Sequence, residues 1–266
     1  MTASGPPEAD LSTEAILRDC ALWAEMSART ALGFFRQGTD VAFKADQSPV
    51  TLADQTVERE LKAAIAAKYP DHGFFGEETG IEGGAGDNLW VIDPIDGTRS
   101  FISGHPLFGM LIAFLSQGKL QAGAISMPVL NEIYCGGIGV PATCNGSPIR
   151  VSGQRDLGAA TLYINEGEKL LAQHPEVTGR LLRSGQTRRF GYDCYPHALL
   201  ASGHVDVVVD YDLKPYDFLA IAAVIEAAGG IVTDWQGKPL TLESGGEVVS
   251  AATAELHGAM IDLLNG

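Results

Sequence analysis

Apolar residues recur at helical spacing near the start of the chain. Ile16, Cys20, Trp23 and Met26 mark a helix within Ser12–Gln37, with Gly38 as its stop. A polar stretch from Lys44 to Asp54 separates it from a second helix. That helix carries Val57, Leu61, Ala64 and Ile65 on one face and is ended by Pro70. The pattern then changes period. Leu89 to Ile92 reads as a short strand ending at Asp93, and 108–115, 120–127 and 132–138 are apolar or alternating runs divided by turns. Asn145-Gly146 marks a hairpin before Ile149-Arg150-Val151. Beyond about residue 155, strands expected at 160–164, 187–190, 205–210, 230–234 and 248–251 alternate with helices. The helices are expected near 175–184, 193–202, 216–228 and 253–264.

This texture predicts a lead-in of residues 1–10, disordered and rich in Pro and small polar residues. An α+β half over 11–155 and an α/β half over 156–266 follow. No Pro/Gly/Ser linker separates the halves, so they are expected to share a rigid interface. The 266 residues suffice for a large buried core, and the 45% hydrophobic and 19% charged composition is that of a globular chain.

Charge narrows the partners. Eighteen basic against 33 acidic residues give a net charge of −15, which repels nucleic acid and anionic membranes alike. The four cysteines, Cys20, Cys135, Cys144 and Cys194, show no metal-like spacing. The N-terminus lacks signal-peptide character, and the longest mainly apolar stretch, Leu107 to Leu115, is too short to span a bilayer. A cytoplasmic protein is therefore expected.

The chemistry concentrates in Trp90-Val91-Ile92-Asp93-Pro94-Ile95-Asp96-Gly97-Thr98-Arg99. A strand delivers two aspartates around a Pro-Ile turn, followed by a glycine and a hydroxyl. Carboxylates so spaced can converge on one hard cation, and Mg²⁺ binds phosphate beside one or two such acids. Gly97 allows close backbone approach, and a helix beginning there would offer free N–H groups to an anion. A polar surface turn is the alternative reading. Glu77-Glu78, Asp54 and Asp217 are further acids at element ends, each of which read alone is a loop charge or a helix cap. Two phosphatase look-alikes fail. Cys144 to Arg150 has the spacing of cysteine-nucleophile enzymes but a hairpin interior. Asp210-Tyr211-Asp212 follows a strand as an aspartyl nucleophile would, yet Lys214 stands where that pattern requires Thr or Val.

Gly76-Glu77-Glu78, Asp93-Pro94-Ile95-Asp96-Gly97-Thr98 and Tyr216-Asp217 with Glu226-Ala227-Ala228-Gly229-Gly230 together resemble the inositol monophosphatase superfamily. The resemblance runs from about Lys44 to the C-terminus and implies a layered αβαβα sandwich, often a homodimer. It implies a metal-dependent phosphomonoesterase with two or three Mg²⁺ per active site and a small phosphomonoester as substrate. Arg99-Ser100-Phe101 after Thr98, Asp193-Cys194-Tyr195 and the stretch Asp234 to Leu240 are most similar to the histidinol-phosphate phosphatase branch. Three positions depart from these patterns. Tyr216 stands where a Trp is usual, Tyr192 where the branch often has a second glycine, and Asn165-Glu166-Gly167-Glu168 replaces its usual strand ending.

The resemblance assigns roles by position. Glu77, Asp93 and the Ile95 carbonyl would hold one Mg²⁺, and Asp93, Asp96 and Asp217 a second. Thr98 and Asp54 would orient and deprotonate the attacking water. Glu78 would assist a third metal with Lys44 nearby, and Gly97 and Thr98 would hold phosphate through backbone N–H groups. Arg99, Gly191, Asp193 and Asp210 complete the substrate-contacting set. Asp193 and Asp210 are candidates to face the ammonium of histidinol by opposite charge. Inositol-1-phosphate phosphatase, nucleotide bisphosphate 3′-phosphatase and a non-catalytic regulator on this fold are the alternatives.

Overall fold

The computed structural model describes residues 10–38, 41–44, 49–83 and 87–266. Of the expected lead-in, only Asp10 lies within the described residues. Ser12 caps α1 (Thr13–Phe34) by accepting a hydrogen bond from Ala15 N at 3.3 Å. The helix stops short of the expected Gln37 because Phe35 turns extended and Arg36 takes a left-handed φ of 60°. After it comes a hairpin that the sequence pattern does not show, β1 (Val41–Phe43) paired antiparallel with β2 (Pro49–Thr51), whose second strand falls inside the polar stretch from Lys44 to Asp54. Residues 45–48 of that stretch lie outside the described ones. Thr51 and Asp54 form a capping box that starts α2 (Leu52–Lys68), which buries Val57, Leu61 and Ile65.

Next come β3 (Gly73–Gly76), β4 (Gly80–Glu82), β5 (Asn88–Asp96), the short helix α3 (Thr98–Ile102), β6 (Gly109–Ser116), β7 (Lys119–Met127), β8 (Glu132–Gly137), β9 (Val140–Cys144) and β10 (Ser147–Pro148). They build one eight-stranded sheet, ordered β10-β9-β8-β7-β6-β5-β3-β4. The hairpin at Asn145-Gly146 is present, but its return strand ends at Pro148, and residues 149–151 are irregular. β5 runs on to Asp96 instead of ending at Asp93. Asp93 pairs with Leu111 and Asp96 with Gly109, so one residue is bulged out. Pro94, which has no N–H to give a ladder, fits at the bulge.

The rest of the chain forms β11 (Thr161–Ile164), α4 (Gly167–Gln173), α5 (Pro175–Leu181), β12 (Thr187–Phe190), α6 (Tyr195–Ala201), β13 (Val207–Asp210), α7 (Pro215–Ala227), β14 (Ile231–Asp234), β15 (Val248–Ala251) and α8 (Ala254–Asn265). Its five strands are ordered β12-β11-β13-β15-β14, with β11 parallel to both β12 and β13. The sequence pattern missed α4 and a short 3-10 turn at Leu157–Ala159.

Side-chain alternation stacks these parts into five layers. In β6, Met110, Ile112 and Phe114 join the core under α1 and α2, while Leu111, Ala113 and Leu115 face the core shared with α6 and α7. Both faces are covered, which is why the strand reads as one unbroken apolar run. A third core lies between the five-stranded sheet and α4, α5 and α8. Phe218 to Ile225 of α7 are all buried, as a helix held between two sheets requires. Gly123 and Gly136 admit it: a Cβ at either would fall within 2.9 Å of α7 atoms. The observed order, helices–sheet–helices–sheet–helices, is the expected α/β sandwich. No helix among the described residues is long and apolar enough to cross a membrane.

Candidate active site

β3 and β5 run parallel, so their carboxyl ends open at the same edge of the sheet. One end delivers Glu77 and Glu78, the other Asp93 through Asp96. In open sheets this is where ligand sites form. The Glu77-Glu78 turn is pinned from below. Glu77 N donates to Ile92 O at 3.1 Å, and the buried Glu58 carboxylate accepts from Glu78 N and Thr79 N, both at 2.9 Å. Gly76 is required there, because a Cβ would sit 2.5 Å from the Glu58 carboxylate.

Asp217 arrives from the first turn of α7, where it accepts from Lys214 N at 2.6 Å as half of a capping box. Carboxylate oxygens of Asp93, Asp96 and Asp217 lie within 4.8 Å of one another. Asp93 Oδ1 accepts from Ile95 N at 3.0 Å, and Asp96 Oδ2 from Cys194 N at 2.5 Å, which fixes how both acids point. Burial, reinforced by repulsion from neighbouring carboxylates, raises all three above the usual carboxylate range. Asp217 reaches about 7. Glu77 is also raised by burial, with Lys44 opposing the shift. Lys44 Nζ lies 2.8 Å from Glu77 and 2.7 Å from Glu78, and those hydrogen bonds outweigh its own burial to raise its pKa. Glu78 is held up at about 7 by burial.

The donor set fits a hard divalent cation. Three convergent oxygen acids, short of positive charge and raised by neighbouring carboxylates, are groups that such an ion would neutralise. Glu77 and Ile95 line the same cavity, of about 160 Å³.

Beside the acids, Thr98 Oγ1 lies 3.1 Å from Asp54 Oδ1 and 3.2 Å from Ile95 O. The other Asp54 oxygen accepts from Thr51 N at 2.8 Å and Thr51 Oγ1 at 2.5 Å. The capping box that starts α2 therefore also aims Asp54 at Thr98. Gly97 takes a φ of 86°, and the Asp193 carboxylate occupies the space that a Cβ would need.

The parallel strands of the second sheet point their carboxyl ends at the same cavity. Asp193 follows β12, and its carboxylate accepts from Ser100 Oγ at 2.6 Å. Burial raises it to about 6. Asp210, at the end of β13, lines the cavity with its oxygens already engaged. Asn165 Nδ2 lies 2.7 Å from Oδ2, His197 Nε2 3.1 Å from it, and Tyr211 N 2.8 Å from Oδ1. Gly191 is buried at the turn after β12, and a Cβ there would meet Asn165 Oδ1 and Pro196 Cγ at 2.6 Å. Arg99 is exposed and lines a neighbouring cavity of about 550 Å³ instead.

Several site residues carried no signal in the sequence. Glu58 sits mid-helix, where a glutamate ordinarily faces water, but here it is buried against the Glu78-Thr79 turn after β3. Thr51 could have been found as the partner of Asp54 in the capping-box spacing. Asn165 is brought to Asp210 by the pairing of β11 with β13, and His197 by the packing of α6 against that sheet.

Residues 17–265 match the inositol monophosphatase family. The chain is 39% identical over 247 residues to the histidinol-phosphatase of Chlorobaculum parvum, covering 91% of this chain and 94% of that one. It is equally identical over 250 residues to the bifunctional phosphatase IMPL2, chloroplastic, of Arabidopsis thaliana, covering 91% and 72%. Among solved structures, an inositol monophosphatase from Zymomonas mobilis superposes with a TM-score of 0.87 at 34% identity, covering 97% of this chain and all of that one. With the match spanning nearly the whole chain, the protein belongs to the inositol monophosphatase family of phosphatases.

Proposed function

We propose that the protein is a Mg²⁺-dependent phosphomonoesterase that hydrolyses L-histidinol phosphate to L-histidinol and phosphate. The observation that carries the chemistry is the convergence of Asp93, Asp96 and Asp217 beside the Thr98–Asp54 pair. Asp93, Asp96 and Asp217, with Glu77 and the Ile95 carbonyl, are the groups that would hold the metal. When bound there, Mg²⁺ activates a water and neutralises charge on the phosphoryl oxygens.

The chain's own residues then have separable tasks. Thr98 Oγ accepts a proton from the attacking water while passing its own to Asp54 Oδ1, a relay that their 3.1 Å separation permits. Thr51, by holding the other Asp54 oxygen, keeps the accepting one aimed at Thr98. Gly97 and Thr98 line the cavity and offer backbone N–H groups to phosphate oxygens. The ester P–O bond breaks as the new one forms, and the alcohol leaves with a proton from solvent.

The substrate assignment rests on the 39% identity to the histidinol-phosphatase, which spans both chains almost fully, and on the acids around the cavity, which suit a cationic alcohol. The Zymomonas mobilis likeness favours inositol 1-phosphate as the second reading. A panel of phosphomonoesters assayed with Mg²⁺ and with EDTA decides. We expect turnover that EDTA abolishes and that is fastest on histidinol phosphate. Equal or faster turnover of inositol phosphates would overturn the substrate, and near-normal turnover by a folded Asp96→Asn variant would overturn the metal site.

A further inference from the structure

The two departures from the branch pattern, Tyr192 and the segment ending Glu166-Gly167-Glu168, meet in one place. Both line the 550 Å³ cavity beside the acidic site. Glu166 and Asp193 line both cavities, so the larger one opens where an alcohol bound through its phosphate would extend.

We propose that this cavity is the leaving-group subsite, and that Phe190 and Tyr192 select alcohols carrying a planar, cationic ring. The inference rests on the phosphatase reading and adds to it the part of the substrate that is recognised.

Three observations carry it. The first is the rings: Phe190 and Tyr192 line the cavity while remaining 51% and 58% exposed, so their faces are open to a ligand. The Phe190 ring is also placed by its neighbour, because a Cβ on Gly167 would fall 2.6 Å from its Cε1. Open aromatic faces attract planar cations. The second is charge. Glu166, Glu168 and Asp193 line the cavity against the single guanidinium of Arg99, with His105 alongside and Lys169 pairing Glu166 at 2.9 Å.

The third is the backbone at the junction of the two cavities. Glu166 and Asp193 both hold left-handed conformations, φ 48° and 58°, that few non-glycine residues adopt. Ser100 holds the Asp193 side chain at 2.6 Å, and Asn165 Nδ2 holds its carbonyl at 3.1 Å. Strain retained at two residues that face both cavities is a mark of ligand positioning.

The test compares two substrates on the same Mg²⁺-loaded preparation: histidinol phosphate and 2-aminopropyl phosphate, which keeps the amine and lacks the ring. Their ratio of kcat/KM is unaffected by any inactive fraction, so a partly unfolded variant still reports. We expect the wild type to favour the ring substrate about tenfold or more, as a cation–π contact predicts. Phe190→Ala and Tyr192→Gly should each lower that ratio about five- to tenfold, mainly through KM. A wild-type ratio near one, or a ratio unchanged in both variants, overturns the subsite. Turnover of inositol 1-phosphate with none of either amine also overturns it and leaves the metal chemistry standing. No Mg²⁺-dependent turnover on any of the three overturns the phosphatase reading and the subsite with it.

Discussion

At the scale of single residues, Asp54 shows how one carboxylate serves both folding and chemistry. One oxygen closes the capping box of α2 on Thr51, and the other faces Thr98. Asn at this position keeps an acceptor for Thr51 N but presents an amide, which cannot take a proton, to Thr98. Asp54→Asn is therefore expected to lower kcat by roughly 10²–10⁴-fold, the ordinary worth of a general base. The melting temperature should stay close to wild type. Asp54→Ala removes the cap as well and should lose about 1 kcal/mol of stability besides the activity. Steady-state kinetics with thermal melts on both variants checks this. If Asp54→Asn kept wild-type kcat, the proton relay would be wrong even with the metal acids intact.

At the scale of elements, the central helix depends on what is missing from the sheet beneath it. A Cβ on Gly136 would fall 2.8 Å from Val224 Cα and Ala227 Cβ of α7. Gly136→Ala is expected to cost about 1–3 kcal/mol by overpacking. In Gly33 of α1 the same change meets nothing within 4 Å. There it should gain about 0.5–1 kcal/mol from helix propensity. Denaturant unfolding of the two variants should thus move in opposite directions, and two shifts of the same sign would contradict the packing account.

The contrast also explains what the sequence made legible. Helices such as α1 and α2, the long strands, and the Asp93–Thr98 motif were readable because periodicity, caps and turn residues are local. The hairpin β1–β2 was not, since each strand has only three residues, too few for an alternation to show, and β1 is exposed throughout while β2 is buried throughout. α4 was missed because it is short and opens at Gly167, with Leu170 its one buried residue. β5 was cut short at Asp93 because Pro94 reads as a stop, whereas a bulge lets the ladder resume at Asp96. At the site, the acids at strand and helix ends were visible. The groups that aim them, Glu58, Asn165 and the Cys194 amide, reach them only through distant pairing.

At the scale of the whole molecule, the net charge of −15 and the buried acids make one linked system. Burial and repulsion from neighbouring carboxylates lift Glu77, Asp93, Asp96 and Asp217 above their ordinary values. Between an unfolded pKa near 4 and a folded one of about 7 for Asp217, the native chain holds more protons than the unfolded one. These acids therefore stabilise the metal-free protein relative to neutral pH only while they remain protonated, and that stability falls as pH rises through this window. Mg²⁺ acts in the opposite sense, because its binding must displace the same protons. The difference in melting temperature between Mg²⁺-loaded and EDTA-treated protein should thus grow with pH. With Mg²⁺ about 100-fold above its dissociation constant, binding contributes about 2.7 kcal/mol, or about 5–10 °C for a chain of this size. We expect that difference near pH 8 and little of it near pH 5, where the acids keep their protons. Asp96→Asn should flatten the dependence. A Mg²⁺ effect that is constant across this range would mean that the ion binds away from the buried acids, and the acidity of the chain would then be a surface property unconnected to its chemistry.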